Sequence, residues 1–145
     1  MPTDSEILRR HQIGLRFRLV PLEDWRARLQ TRANVLVTGP GEALSSFIEA
    51  ALSEMREPIV SAEGSSPLFL DGRTLILTGI DALDASGQRR LTQWMNEPRN
   101  AHTQIISLTS VSLFGLVEAS RFDADLYYRL NTIHLKIQDA WGRAW

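Results

Sequence analysis

The chain has 145 residues, of which 43% are hydrophobic and 23% are charged, and its formal net charge is −1. This length supports one domain with its own hydrophobic core. The balanced charge favours neither direct DNA binding nor a membrane-surface anchor, and the lack of cysteine excludes disulfides and thiolate metal sites. No apolar run reaches the roughly 20 residues that span a bilayer, and the N-terminus lacks the apolar stretch of a signal peptide. We therefore expect a cytoplasmic domain.

Short β-rich runs alternate with helical periods along the first half of the chain. A continuous apolar run predicts a strand buried on both faces of a parallel sheet, and apolar residues at helical spacing predict a helix packed on that sheet. In chain order these patterns predict a strand, a helix and a buried strand at residues 16–20, 22–30 and 34–38. They then predict a helix, a strand and a turn at residues 44–55, 59–62 and 63–67.

The second half continues the alternation, and three polar residues mark helix starts there. Asp84, Ser110 and Asp123 each precede a helical stretch whose first turn their side chains can cap. The predicted elements are a strand, a helix, a strand, two short helices and a closing strand, at residues 74–78, 84–96, 104–108, 111–119, 123–130 and 132–137. This order predicts an α/β fold, a three-layer αβα sandwich with a mostly parallel five-stranded sheet.

The whole of residues 1–145 is interpreted as a single domain with two peripheral segments. Residues 1–24 are expected to form an N-terminal extension and residues 138–145 a C-terminal tail. Trp141 and Trp145 in that tail are either a docking handle or a packed terminus. Trp25 and Trp94 lie on helical faces with aliphatic residues and are predicted to be core.

Residues 120–137, SRFDADLYYRLNTIHLKI, carry a specific pattern. They resemble the segment G-R-F-R-x-D-L-Y-Y-R-L-N-V-x-x-I of sigma-54-dependent, enhancer-binding transcription activators. Three earlier blocks resemble motifs of that family in the same order: residues 34–52 its P-loop, residues 72–84 its second nucleotide motif, and residues 104–110 its sensor strand. The resemblance covers residues 25–137 and implies an AAA+ core of the P-loop NTPase type.

The P-loop block departs from the family where phosphate would bind. A P-loop brings backbone N–H groups against the phosphates, and its lysine reaches the β- and γ-phosphates. Gly39 matches the first glycine of the motif, whereas Leu44 replaces the last glycine and Ser45 replaces the lysine. Glu42 adds a carboxylate where a polyanion would lie. A strand-to-helix turn that packs against the core therefore explains this segment better than a phosphate cradle.

The other nucleotide motifs also lack their polar residues. The family's second motif ends in Asp-Glu, which organise Mg²⁺ and orient the attacking water. Thr78 and Gly79 occupy those positions, and Asp81 lies too far along the chain to substitute. Ser110 replaces the asparagine that senses the γ-phosphate. The resemblance therefore implies a degenerate pseudo-ATPase with no ATP or magnesium cofactor, no metal site and no catalytic residues.

Arginine fingers supply positive charge to the nucleotide of a neighbouring subunit. Asp123 stands where the family has its first finger, and Arg129 matches the second. We interpret Arg129 as partner-facing, with an ion pair to Asp125 or Asp123 on the same helix as the alternative. The G-A-F-T-G-A motif that contacts sigma-54 does not occur in the sequence, so sigma-54 is not an expected partner. The family's helical lid and DNA-binding domain are not expected either, because little sequence follows the last predicted strand.

Three functions fit these observations to different extents. The favoured one is a catalytically inactive regulatory or protein-interaction module of bacterial type, whose unknown protein partner is a second copy of the chain or another AAA+ subunit. The alternative is a divergent ATP-binding protein or ATPase of transcription regulation with a weaker phosphate site formed by Gly39, Gly41, Ser45 and Ser46. A receiver-like signalling domain is disfavoured because the strand ends carry threonines instead of clustered carboxylates.

Overall fold

The structure is a computed structural model that describes residues 17–18, 22–63 and 72–139. The first elements are β1 (Phe17–Arg18), α1 (Leu22–Gln30), β2 (Val35–Thr38), α2 (Gly41–Ala51), β3 (Ile59–Glu63) and β4 (Thr74–Thr78). They are followed by α3 (Ala85–Asn96), β5 (Gln104–Thr109), α4 (Leu113–Glu118), α5 (Ala124–Leu130), β6 (Ile133–Lys136) and β7 (Gln138–Asp139). Short 3₁₀ turns lie at Leu52–Glu54, Ile80–Ala82 and Pro98–Asn100.

The main sheet has five strands in the order β3-β4-β5-β2-β6, and every neighbouring pair is parallel. This confirms the predicted α/β fold and its five-stranded sheet. A separate two-stranded antiparallel sheet joins β1 to β7, with Phe17 opposite Asp139. β1 lies in the predicted N-terminal extension and β7 in the predicted C-terminal tail, so parts of the two peripheral segments pair with each other.

Some predictions lie outside the described residues. These are the two tail tryptophans, Trp141 and Trp145, and most of the turn predicted at residues 63–67. The greater parts of the N-terminal extension and of the C-terminal tail also lie outside them. Within the described residues, no helix is long and apolar enough to cross a membrane.

Two hydrophobic cores lie on opposite faces of the main sheet, because successive side chains of a strand point to opposite faces. On β2, Val35 and Val37 belong to the core formed with α1 and α2, whereas Leu36 belongs to the core formed with α3, α4 and α5. Trp25 packs edge-to-face on Phe47 in the first core, with ring centroids 5.3 Å apart. Trp94 is buried in the second core. Both tryptophans are core residues, as predicted.

Two of the three predicted helix caps are confirmed. Asp84 Oδ1 accepts a hydrogen bond from the Gly87 N–H at 2.7 Å, at the start of α3. Asp123 Oδ2 accepts one from the Leu126 N–H at 2.8 Å, at the start of α5. Each carboxylate satisfies a backbone donor that has no partner inside its helix.

The third predicted cap is wrong by two residues. Ser110 does not start a helix; the hydroxyl of Ser112 accepts the hydrogen bond from the Gly115 N–H, at 3.1 Å. The cause is the hydroxyl of Thr109, which accepts a hydrogen bond from the Val111 N–H at 3.1 Å. This bond holds residues 109–111 in a turn, so α4 begins only at Leu113.

Candidate functional site: the turn between β2 and α2

The strand-to-helix turn after β2 is the segment predicted as a degenerate P-loop. Only Gly39 and Pro40 separate β2 from α2. The Leu44 N–H donates a hydrogen bond to the Pro40 carbonyl at 2.9 Å, which closes the first helical turn. Residues 41–44 would belong to the phosphate-binding loop in a P-loop protein. Here they are helical, so this described segment contains no open loop between strand and helix.

The two glycines of the turn differ in their surroundings. A Cβ at Gly39 would lie 2.3 Å from Ile137 Cγ1 and 3.2 Å from the Ile137 carbonyl oxygen. A Cβ at Gly41 would meet nothing within 4 Å. Ile137 is fully buried next to the end of β6. Gly39 is therefore required by close packing between two strand ends, which is a structural reason for this glycine that involves no phosphate.

The remaining predicted site residues lie in the first two turns of α2. Leu44, at the position of the family's last P-loop glycine, is buried in the core between the sheet and α2. Ser45, at the lysine position, is exposed, and Ser46 is half-buried. Glu42 is exposed in the first turn of the helix. Gly39, Gly41, Ser45 and Ser46 thus lie in the turn and the first two turns of α2, in a segment that contains the Glu42 carboxylate and no lysine or arginine.

The end of β4 carries the positions of the second nucleotide motif. Thr78 donates a hydrogen bond from its hydroxyl to the Ala62 carbonyl, at 3.5 Å. Gly79 has φ 62° and ψ 39°, a left-handed conformation that is unfavourable for a residue with a Cβ. Asp81 accepts a hydrogen bond from the Thr109 hydroxyl at 2.9 Å, which holds its carboxylate at the end of β5. Within the described residues, no group of three or more histidine or carboxylate side chains could hold a metal ion.

Arg129 lies near the end of α5 and is half-buried. Its carbonyl oxygen accepts a hydrogen bond from Asn34 Nδ2 at 3.0 Å, which fixes this end of the helix beside β2. Within the part of the chain that the structure describes, its guanidinium forms no ion pair with Asp125 or Asp123. Asp123 instead caps the helix, so the intrahelical ion pair considered for Arg129 is not observed.

Comparison with known proteins identifies the family of this chain. Residues 26–139 match the model of the family described as the Sigma-54 interaction domain. The chain belongs to this family. The comparison with curated proteins found no match.

Solved structures show the same fold as this sigma-54 interaction domain. One is NtrX from Brucella abortus in complex with ATP, which is 20% identical with a TM-score of 0.66 over 81% of this chain. Another is the P-loop NTPase domain of the sigma-54 transport activator from E. coli, 20% identical with a TM-score of 0.59 over 82% of this chain and 97% of that one. The present chain spans only 34% of the NtrX chain. At such identities the likeness shows the fold alone.

Two polar side chains connect the motif segments of this sigma-54 interaction domain by hydrogen bonds. The sequence patterns single out neither of them. Asn34 Oδ1 accepts a hydrogen bond from the Ile105 N–H at 2.8 Å, in addition to the bond that its Nδ2 donates to α5. Gln88 Nε2 donates to the Arg121 carbonyl at 3.1 Å, and Gln88 Oε1 accepts from the Asp123 N–H at 2.8 Å. Asn34 is the first residue of the P-loop block, so its position in the motif is a signal that the sequence offers. Gln88 gives no signal, since it lies in an ordinary helical stretch.

Proposed function

We propose that this sigma-54 interaction domain is a catalytically inactive module that acts through protein contacts, as a regulatory or interaction domain. The observation that carries the proposal is the start of α2. The first helical turn occupies the segment where a phosphate-binding loop would be, and Leu44 is buried where the motif needs a glycine. ATP and magnesium are therefore not cofactors of this module.

Electrostatics supports the same conclusion. A bound triphosphate is held by a lysine, by backbone N–H groups and by a metal ion that carboxylates position. Ser45 is neutral, and Glu42 brings a negative charge to the first turn of α2. At the end of β4, Thr78 and Gly79 provide no carboxylate for the metal ion. Phosphate and magnesium thus lose their main attractive partners together.

Isothermal titration with Mg-ATP, combined with thermal unfolding, tests the proposal. A ligand at 100 times its Kd stabilises a protein by about 2.7 kcal/mol, which raises the Tm of a domain of this size by roughly 5 °C or more. We expect no binding heat and no rise in Tm at about 5 mM Mg-ATP, a concentration that would reveal any Kd below about 50 µM by this relation. Saturable binding would overturn the proposal.

A divergent ATP-binding function is the second candidate, and one observation favours it. Pro40, the N-cap residue of α2, provides no side-chain hydrogen bond to the first turn. Free N–H groups at a helix N-terminus attract anions. If the titration detects binding, a Ser45→Ala/Ser46→Ala variant should weaken it under this alternative. Ser53→Ala, in the 3₁₀ turn after α2, is the matched control.

The partner of the module is proposed to be a second copy of the chain or another AAA+ subunit, with Arg129 in the contact. Arg129 has no carboxylate partner among the described residues, and the neighbouring Tyr128 is 62% exposed. Sedimentation velocity can compare self-association of the wild type and of Arg129→Gln. Arg99→Gln, which removes an exposed cation paired with Glu97, is the control. Association that both variants weaken equally would contradict a specific role for Arg129.

A further inference from the structure

A cavity of about 460 Å³ lies beside the edge strand β6, and none of residues 39–46 is among its described lining residues. We call it the β6 cavity. Leu36 and Leu113 line it and are almost completely buried. Leu36 belongs to the core on the α3–α5 face of the sheet, so the cavity opens on the face opposite α2. Its volume is in the range of about 300–1,000 Å³ that is usual for small-molecule sites.

The strand alternation of β6 explains why this cavity is polar on one side. Leu135 belongs to the core on the α2 face, so His134 and Lys136 are on the opposite face, where the cavity lies. In the parallel register with β2, His134 is paired with Leu36 and Lys136 with Thr38. The Thr38 hydroxyl and His134 Nε2 share a hydrogen bond. Two neighbouring strands therefore present an imidazole, a hydroxyl and an ammonium group to one cavity.

Among the described lining residues of the cavity, Lys136 is the one with a full positive charge at pH 7. Lys136 is the only lysine in the sequence, and the described lining residues include no carboxylate. Lys136 forms no ion pair with any described residue. Burial, and then the charge of Lys136, lower the pKa of His134, so the imidazole is neutral at pH 7. An anion entering the cavity would meet an ammonium group that no described carboxylate neutralises.

Two aromatic side chains form the other wall. The rings of Phe114 and Tyr127 have centroids 6.0 Å apart with an interplanar angle of 47°. Tyr127 is buried, but Phe114 is 45% exposed, although it belongs to a helix that packs on the second core. The Tyr127 hydroxyl accepts a hydrogen bond from Asn131 Nδ2 at 3.0 Å. Burying the Phe114 ring against a flat apolar ligand would remove its exposed area from water.

We propose that the β6 cavity binds a small aromatic carboxylate. The carboxylate pairs with Lys136, and the aromatic ring packs against Phe114 and Tyr127. The complementarity rests on a cation and an exposed aromatic ring in the same cavity, without an opposing acidic group among the described lining residues. This ligand site goes beyond the proposed interaction function, because it gives the module a way to respond to a small molecule.

The single lysine allows a selective test on the whole chain. Reductive methylation with ¹³C-formaldehyde labels Lys136 and the α-amino group and keeps the positive charge, so NMR reports on the cavity directly. The probes are phenylacetate, its neutral isostere phenylacetamide, and acetate, which lacks the ring. We expect saturable shifts of the Lys136 methyl signal with phenylacetate at a Kd of roughly 1–10 mM, as for a ligand of this size. Both controls should bind at least about tenfold more weakly, because an ion pair or ring contact worth about 1.4 kcal/mol changes Kd tenfold.

Variants test the two halves of the site separately, with backbone amide signals as the readout. Lys136→Gln and Phe114→Ala should each weaken phenylacetate binding at least about fivefold, a change that corresponds to about 1 kcal/mol. Arg99→Gln, which removes an exposed cation outside the cavity, should leave binding unchanged. Equal binding of phenylacetate and phenylacetamide, or undiminished binding to Lys136→Gln, would overturn the proposal. The test involves no nucleotide, so its failure would leave the proposed interaction function intact.

Discussion

Replacing Gly39 by alanine tests whether the turn between β2 and α2 is built for packing. The new Cβ would lie 2.3 Å from Ile137 Cγ1 and 3.0 Å from Ile137 Cδ1, and the Ile137 carbonyl oxygen would be 3.2 Å away. Ile137 is fully buried and its Cγ1 lies close to the backbone, so relief of the clash requires this side chain to turn within the core or the backbone to shift. Extra atoms forced into a packed core cost typically about 1–3 kcal/mol. We expect Gly39→Ala to lower the free energy of unfolding by that amount.

Gly41→Ala is the matched control, because the same change two residues later meets open space. Alanine at the first position of α2 should leave stability unchanged or raise it by up to about 1 kcal/mol, since it restricts the unfolded chain. Urea unfolding followed by circular dichroism measures both variants. Two variants with equal stability would refute the packing explanation of Gly39.

A double-mutant cycle tests whether the alanine methyl group at position 39 clashes with the side chain of Ile137. Ile137→Ala alone should cost about 2–5 kcal/mol, because it leaves a cavity in the core. If the clash is with this side chain, Gly39→Ala should add little to the cost in the Ile137→Ala background. The two losses would then be non-additive by roughly 1 kcal/mol or more. Additive losses would show that the alanine methyl group strains the backbone instead.

Three further predictions concern the polar residues. Asp123→Ala should lower the free energy of unfolding by about 0.5–2 kcal/mol, because it removes the α5 cap. Asp125→Ala, in the same helical turn, should lower it by less. Equal losses of stability in urea unfolding would contradict the cap. Asn34→Ala should cost about 2 kcal/mol, because it removes hydrogen bonds to both Ile105 and α5; an unchanged urea midpoint would contradict this. Burial and Lys136 lower the folded-state pKa of His134 below 6.5, so the unfolded chain binds the proton more readily and stability falls as the pH drops through about 6.5. Lowering the pH from about 7.5 to about 5.5 should therefore reduce the Tm more in the wild type than in His134→Gln, and equal reductions would contradict the pKa shift.

Most of the fold could be predicted from the sequence, because short continuous apolar runs between turn residues are typical of strands inside a parallel sheet. The runs in β2, β4 and β5 are indeed buried on both faces of the sheet. Apolar runs do not identify Ser112 as the cap of α4. The start of that helix depends on the turn in which the Thr109 hydroxyl accepts a hydrogen bond from the Val111 N–H. In the helix predicted at residues 44–55, Leu52 would lie on the apolar face. It is 43% exposed because α2 ends at Ala51 and a 3₁₀ turn follows.

The segment of the candidate site could be chosen from the sequence, but the contacts that explain its residues could not be predicted. The P-loop block shows which residues are missing, whereas the contact between Gly39 and Ile137 joins positions almost a hundred residues apart. The β6 cavity could not be predicted for the same reason. His134 and Lys136 alternate with apolar residues as on any edge strand, and only the parallel register with β2 places them beside Thr38 and Leu36.

We propose that the start of α2, a packed helical turn, does not bind phosphate. Amide chemical shifts of residues 41–46, recorded by two-dimensional NMR during a titration with Mg-ATP, test it most directly. We predict no saturable shift of these amides at about 5 mM nucleotide, a concentration that would occupy half of any site with a Kd near that value. Saturable shifts centred on Leu44, Ser45 and Ser46 would contradict the claim.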